Sequence, residues 1–174
     1  MFVFKSLPVF VTRLFGLPAL LLLLLSPNVQ AQAPKSSPDR FQVSADGQEV
    51  LDQDTRLIWR RCLEGMRYEA GRCLGEPQPL AWSQGVDWAK AVSLPTTSWR
   101  MPTMMELSSV IDMNRHGAPV DPVLFPDTPR VYVWSATVNE RTPSHAWVMF
   151  YANGYMMSAQ QSISYFVRLV REKG

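Results

Sequence analysis

Apolar positions in this chain recur with two different periods, and the change of period divides it into helices and strands. In Arg56-Leu57-Ile58-Trp59-Arg60, Leu57 and Trp59 fall on one side and Ile58 on the other, the period of a half-buried strand. Before it, Phe41-Gln42-Val43 and Glu49-Val50-Leu51 flank the Asp46-Gly47 turn signal, and Asp52 to Thr55 reads as a second polar turn. The spacing of Trp82, Val86, Ala89 and Val92 then predicts a helix over 84–93, capped by Ser83 and ended by Leu94-Pro95; Gly85 weakens its first turn. A second helix follows Thr103. Met104, Leu107, Val110 and Ile111 share one face, and the pattern runs to about Asn114 before His116-Gly117-Ala118-Pro119.

Beyond the proline-rich connector at 121–130, where Val123, Leu124 and Phe125 are the apolar anchors, the period returns to two. Strands are expected at 131–137 and 146–151, with Asn153-Gly154 turning the second into Tyr155–Ser158. A final strand at 163–171 places Ile163, Tyr165, Val167 and Leu169 on one side and Arg168 on the other. Two helices early and an antiparallel meander late define an α+β domain, with two short helices packed on antiparallel β-sheet.

The N-terminus changes the count of residues available to that domain. Lys5 and Arg13 precede an apolar run at 14–25, and small residues follow at Val29-Gln30-Ala31 and Ala31-Gln32-Ala33. This is the layout of a secretory signal peptide at 1–31, with an uncleaved anchor as the rival reading. Residues 32–40, with two prolines, two serines and little apolar content, read as a flexible lead-in, and 41–174 as the domain. About 140 residues remain after cleavage, enough for one compact domain. The expected location is periplasmic or extracellular, with no integral membrane span after processing.

Charge then removes one class of partner. The formal net charge of +2 falls to zero once Lys5 and Arg13 leave with the signal. The basic balance of the precursor is therefore no argument for nucleic acid. Cys62 and Cys73 are the two cysteines, with ten residues between them. In an exported chain they suggest a disulfide; a metal site or a redox dithiol is the alternative, and neither has supporting ligands or a tight spacing.

Thr103 and Glu106 stand three residues apart, the spacing of a capping box, and Pro102 holds Met101 extended before it. Together with Trp99 and Arg100 they form Trp99-Arg100-Met101-Pro102-Thr103-Met104-Met105-Glu106-Leu107. This stretch, Asp54-Thr55-Arg56-Leu57-Ile58-Trp59, Trp82, Asp121 with Phe125-Pro126, Val133-Trp134-Ser135-Ala136-Thr137, Ala146-Trp147 with Asn153-Gly154, and Val167-Arg168-Leu169-Val170-Arg171 resemble the Lcl C-terminal domain family in order and spacing. The resemblance covers 52–171. It implies a C-type-lectin-like relation, with binding carried by loops, and some relatives adhere to host polysaccharides. Leu169 stands where members frequently have cysteine, and no collagen-like stalk is present.

Candidate chemistry is sparse, and no catalytic residue, metal or cofactor is assigned. His116 and His145 are the two histidines; paired in space they would serve as ligands or as acid and base, and apart they are turn residues. Asp52, Asp54 and Asp112 match no calcium loop. The expected binding residues are Trp147, Tyr151 and Tyr155, as aromatic groups near the hairpin, with Arg130 and Arg141 as cations; Arg67 and Arg72 are further unclustered cations. Trp99, Arg100, Pro102, Thr103 and Glu106 are assigned to structure, and Arg100 and Arg168 are expected as buried partners of acids. Three functions stay open: a binding or adhesion module for an envelope protein or surface glycan, a structural component of an envelope assembly, and an enzyme.

Overall fold

The computed structural model describes residues 40–115 and 119–174. The signal segment at 1–31, residues 32–39 of the lead-in and His116 lie outside the described residues. Among the described residues no helix is long and apolar enough to cross a membrane.

Three antiparallel sheets and two helices make up the α+β fold. Strands β1 (Phe41–Val43), β2 (Glu49–Asp52) and β3 (Leu57–Arg60) form consecutive hairpins. The C-terminal strand β9 (Val170–Glu172) adds to β3, so the sheet order is β1-β2-β3-β9. Between Cys62 and Cys73 lies the start of a small hairpin, β4 (Arg67–Glu69) and β5 (Arg72–Leu74). Helices α1 (Trp82–Ala91) and α2 (Met104–Ser109) precede the meander of β6 (Tyr132–Val138), β7 (His145–Phe150) and β8 (Tyr155–Gln160).

The meander is the middle layer because both of its faces are apolar. Val133 and Met149 pack with Val50, Trp59, Leu107 and Phe125 in one core. Trp134, Ala146 and Val148 pack with Ala89, Trp99, Val167 and Leu169 in the other. In strands the side chains alternate, so one meander serves the four-stranded sheet and α2 on one side and α1 on the other.

Several expected boundaries move for identifiable reasons. Helix α1 starts two residues early, at Trp82, and Ser83 is not its cap. Gln84 Oε1 instead accepts from the Ala81 N–H at 2.9 Å, and Trp82 Nε1 donates to the Ser135 carbonyl at 2.9 Å, anchoring the first turn to β6. Gly85 is a packing residue: a Cβ there would stand 2.8 Å from Met101 Sδ and 3.0 Å from Val167 Cγ2. Helix α2 ends at Ser109 rather than near Asn114. Ile111 bridges Val120, and Asp112 accepts from the Asn114 N–H at 2.9 Å, a local bond that competes with helix continuation. Val123 is exposed, while Phe125 is buried.

The expected strand at 163–171 is continuous only at its end, in β9. Tyr165 and Phe166 make isolated bridges to Leu80 and Val133, and the Arg60 and Glu64 N–H groups donate to the Leu169 and Val167 carbonyls. Val167 to Val170 are all buried, so this segment is a seam between the sheets and has no solvent face. Arg168 accordingly has no carboxylate bonded to it. Its guanidinium donates to the Arg60 carbonyl at 2.9 Å, to the Arg61 carbonyl, and to Thr128 Oγ1 at 2.7 Å.

Arg40, placed at the end of the lead-in, is held by the domain. It donates to both Asp52 oxygens at 2.9 and 2.6 Å and to the Ser109 carbonyl at 2.8 Å. Asp52 is fully buried at the end of β2, not part of an exposed turn. Burial pushes the Asp52 carboxyl up, but hydrogen bonds from Arg40 and Thr55 and the Arg40 charge outweigh it and hold it below its ordinary value. Asp52→Ala is expected to cost about 3 kcal/mol at pH 7, the order found when one member of a buried pair is removed. Because the folded carboxyl titrates below the unfolded one, this contribution is full above pH 3.8 and is lost as pH falls through the folded value. Urea unfolding of both proteins at pH 7 and near pH 2 should show the gap narrowing in acid; a gap that widens contradicts the assignment.

Candidate functional site

The loop after β3 carries the most unusual carboxylate of the fold. Glu64 is 4% exposed and lies two residues past Cys62. Its backbone N–H donates to the Val167 carbonyl at 2.9 Å, and its carbonyl accepts from the Gln78 N–H at 2.7 Å. Arg60 Nη1 and Trp88 Nε1 both donate to Glu64 Oε2, at 2.9 and 2.7 Å. Strand β3 and helix α1 thus meet on the Glu64 side chain, and the C-terminal seam on its backbone. Burial raises the Glu64 carboxyl above its ordinary value, against the pull of the Arg60 charge, the Trp88 bond and the Arg168 charge.

Glu64 lines a cleft of about 340 Å³ shared with Asp46, Glu49, Arg60, Tyr68 and Trp99. Each wall is fixed by its own contacts. The Cys62–Cys73 disulfide, 5.5 Å between Cα atoms, ties the loop to β5. Arg61 is buried and donates to the carbonyls of Gly47, Val123 and Leu124 at 2.9, 2.6 and 2.7 Å, and its guanidinium lies 4.6 Å over the Tyr68 ring. Gly47, at φ +73°, lets Tyr68 close on the turn: a Cβ would stand 2.3 Å from Tyr68 Cε1. Arg60 and Arg171 lie 4.7 and 5.3 Å over the Trp99 ring, and Arg171 pairs with Glu49 at 2.6 Å. The cleft therefore presents carboxylates, a guanidinium and aromatic edges, most already held in place.

The Trp99–Glu106 stretch supports this region from behind. Thr103 and Glu106 form the capping box, with the Thr103 N–H donating to Glu106 Oε2 at 2.7 Å and the Glu106 N–H to Thr103 Oγ1 at 3.2 Å. Arg100 makes two bonds of 2.8 Å to Glu106 and one of 2.5 Å to Glu172, the structural ion pair expected of it. The Arg100 guanidinium is half-exposed rather than buried. Pro102 is buried, and its carbonyl accepts from Ala136 at 2.7 Å.

The expected binding residues are dispersed. Register pairs Trp147 with Ser158 and Phe150 with Tyr155, so Trp147 and Tyr155 stand on opposite faces of the meander and form no common platform. Tyr155 is 60% exposed, at the end of a cross-strand row with Phe150 and Tyr132, whose rings stack at 4.6 Å. Tyr151 is buried in the core, and its position corrects the expectation of an exposed stacking group. It does line a second cavity together with Arg130. Arg141 is exposed on the β6–β7 turn. Arg67 and Arg72, expected as unengaged cations, pair with Glu69 at 2.9 Å and with Asp127 at 2.8 Å.

Among the described residues no group of three or more histidine, cysteine, aspartate or glutamate side chains is placed to hold a metal ion. His145 is half-buried, with Nδ1 3.2 Å from Ser144 Oγ. Asp54 faces Arg40 at 3.6 Å. Glu64, Asp46 and Tyr68 were missed as site residues because nothing periodic marks them; proximity to Cys62 and Cys73 was the one signal available.

An α+β domain with a disulfide-bounded polar cleft is the class that these features define. The Lcl C-terminal domain family matches residues 48–171, and the chain belongs to that family. No curated protein matches the chain.

Two measurements probe the cleft walls. Replacing both cysteines with alanine should cost about 3 kcal/mol of unfolding free energy, read from urea midpoints of oxidised protein; an unchanged midpoint would show that the crosslink constrains nothing. For Glu64 the sign is opposite to that of Asp52. A raised folded value means that stability is greatest below pH 4.5 and declines as pH climbs through the folded value. Glu64→Gln removes that decline, so the variant should gain on the parent protein as pH rises from 4 to 7.

Proposed function

We propose that this domain is a binding module whose Glu64 cleft recognises a sugar ring of an envelope or surface glycan. The carrying observation is the Glu64–Arg60 pair at the floor of an open cleft edged by Tyr68 and Trp99. Adjacent sugar hydroxyls are both donors and acceptors. A carboxylate beside a guanidinium answers both, and the half-buried Tyr68 ring offers apolar surface to the C–H face of the sugar. The hydrogen bonds from Arg60 and Trp88 both fall on Glu64 Oε2, so Oε1 is the oxygen that would accept from a ligand. The volume sits at the lower end of the roughly 300–1,000 Å³ usual for small-molecule sites, which suits one or two sugar units.

Pre-organisation supports the same reading. Arg60, Arg61, Glu49 and Tyr68 are held by protein contacts before any ligand arrives, so little side-chain freedom is lost on binding. The signal-peptide pattern supports export and therefore an envelope or surface ligand. The C-type-lectin-like kinship implied by the sequence resemblance is compatible with a loop-built site of this kind.

The test is a glycan array on folded protein followed by titration of any hit. Glu64→Gln keeps the shape and removes the charge, and should weaken binding about tenfold, the value of one charge-assisted hydrogen bond. Tyr68→Ala should weaken it as well. An empty array, or a hit whose affinity ignores both substitutions, would rule the cleft out as the glycan site.

A further inference from the structure

The second cavity is lined in part by Asp127, which binds the disulfide hairpin, and its walls border a buried charge. It has a volume of about 220 Å³. Val120, Pro122, Phe125 and Ala152 give it an apolar side; Thr128, Arg130 and Tyr151 give it a polar one. Three of these residues sit directly on the Arg168 guanidinium. Phe125 lies 4.6 Å below it, the Tyr151 ring 5.7 Å away, and Thr128 Oγ1 accepts from it at 2.7 Å.

Arg168 is completely buried, and each of its hydrogen bonds goes to a neutral acceptor. A buried cation without a bonded carboxylate leaves a positive field that its neighbours transmit poorly to water. One group on the cavity wall has unused donors: the exposed Arg130 has no ion pair or side-chain hydrogen bond among the described residues. The Tyr151 hydroxyl is buried and interacts with the Arg168 guanidinium. The carboxylate of Asp127 is the opposing charge in the wall. It is bound by Arg72 and by the Cys73 N–H at 2.9 Å, which neutralise it on the hairpin side.

We infer that this cavity is a separate site for a small organic carboxylate, its head toward Arg130 and Tyr151 and its alkyl body against Phe125, Pro122 and Ala152. An inorganic anion matches the field but not the apolar side. A neutral amide matches the shape but not the charge. Arg130 is the recognition residue at the mouth, and Arg168 acts from behind as a fixed positive charge. The cavity shares no lining residue with the Glu64 cleft, so it is a second site.

The probes are butyrate, butyramide and sulfate, titrated into the isotope-labelled protein while backbone amide shifts are followed by NMR. Butyrate should saturate shifts at Thr128, Val131 and Ala152 in the millimolar range, with butyramide at least about tenfold weaker. Arg130→Gln, at an exposed position that leaves the fold intact, should weaken butyrate about tenfold. Ala152→Leu should fill the apolar side and abolish it, and Arg141→Gln, on the exposed turn beyond β6, should leave it unchanged. The inference is overturned by no saturation up to about 50 mM, by butyramide equal to butyrate, by sulfate equal to butyrate, or by indifference to Arg130→Gln.

Discussion

The buried guanidinium of Arg168 is the constraint on which the rest of this structure depends. It donates to the carbonyls of Arg60 and Arg61, where β3 leaves its sheet, and to Thr128 of the connector. It thereby fixes three segments that are far apart in sequence. Burying it has a cost: removal from water pushes the guanidinium below its ordinary affinity for protons, and only the surrounding groups oppose this. A buried charge satisfied by carbonyls tolerates little displacement, since each lost bond exposes the full desolvation term. That intolerance makes it a registration device. With their carbonyls pinned by Arg168, the Arg60 side chain meets Glu64 and the buried Arg61 guanidinium lies over Tyr68.

The fold was legible where chemistry is local. The capping box of Thr103 and Glu106, the Asn153-Gly154 hairpin and the alternation around Trp59 each follow from residues within a few positions of one another, and the structure has them. The seam at 163–171 was misread for a physical reason. Alternation predicts a strand with one wet face, but Val167 to Val170 are buried on both sides, and the apparent polar position is Arg168 itself. Helix α2 was overextended because Val110 and Ile111 keep the helical period while Asp112 ends it through a turn bond. The hairpin β4–β5 was hidden because its strands have three residues each and owe their pairing to the disulfide and to Asp127.

The candidate site was less legible than the fold, and the aromatic residues explain why. An exposed tryptophan or tyrosine has the same sequence signature as a core one. Trp147 and Tyr155 are separated by pairing register, which decides faces and which no composition reveals. Glu64 illustrates the converse. Its neighbours Leu63 and Gly65 say nothing of function, and its raised proton affinity comes from burial beneath elements distant in sequence, against the opposing pull of Arg60 and Trp88. The family match gives the scaffold; geometry supplies the site.

The arginines decide between a discrete site and a charged groove. Arg40, Arg60, Arg61, Arg100, Arg168 and Arg171 are bonded to carboxylates or carbonyls inside the domain. Arg67, Arg72 and Arg115 are paired at the surface, and among the described residues Arg56 stands singly on the β2–β3 turn. Arg130 and Arg141 flank the two ends of β6, which spans Tyr132–Val138. Seven extended residues cover on the order of 23 Å, more than twice the screening length of about 8 Å at physiological salt. Two cations that far apart do not sum into one anionic groove. A long polyanion held by charge alone is therefore disfavoured, and the binding proposed for this domain rests instead on a few fixed groups acting at short range in the Glu64–Arg60 cleft.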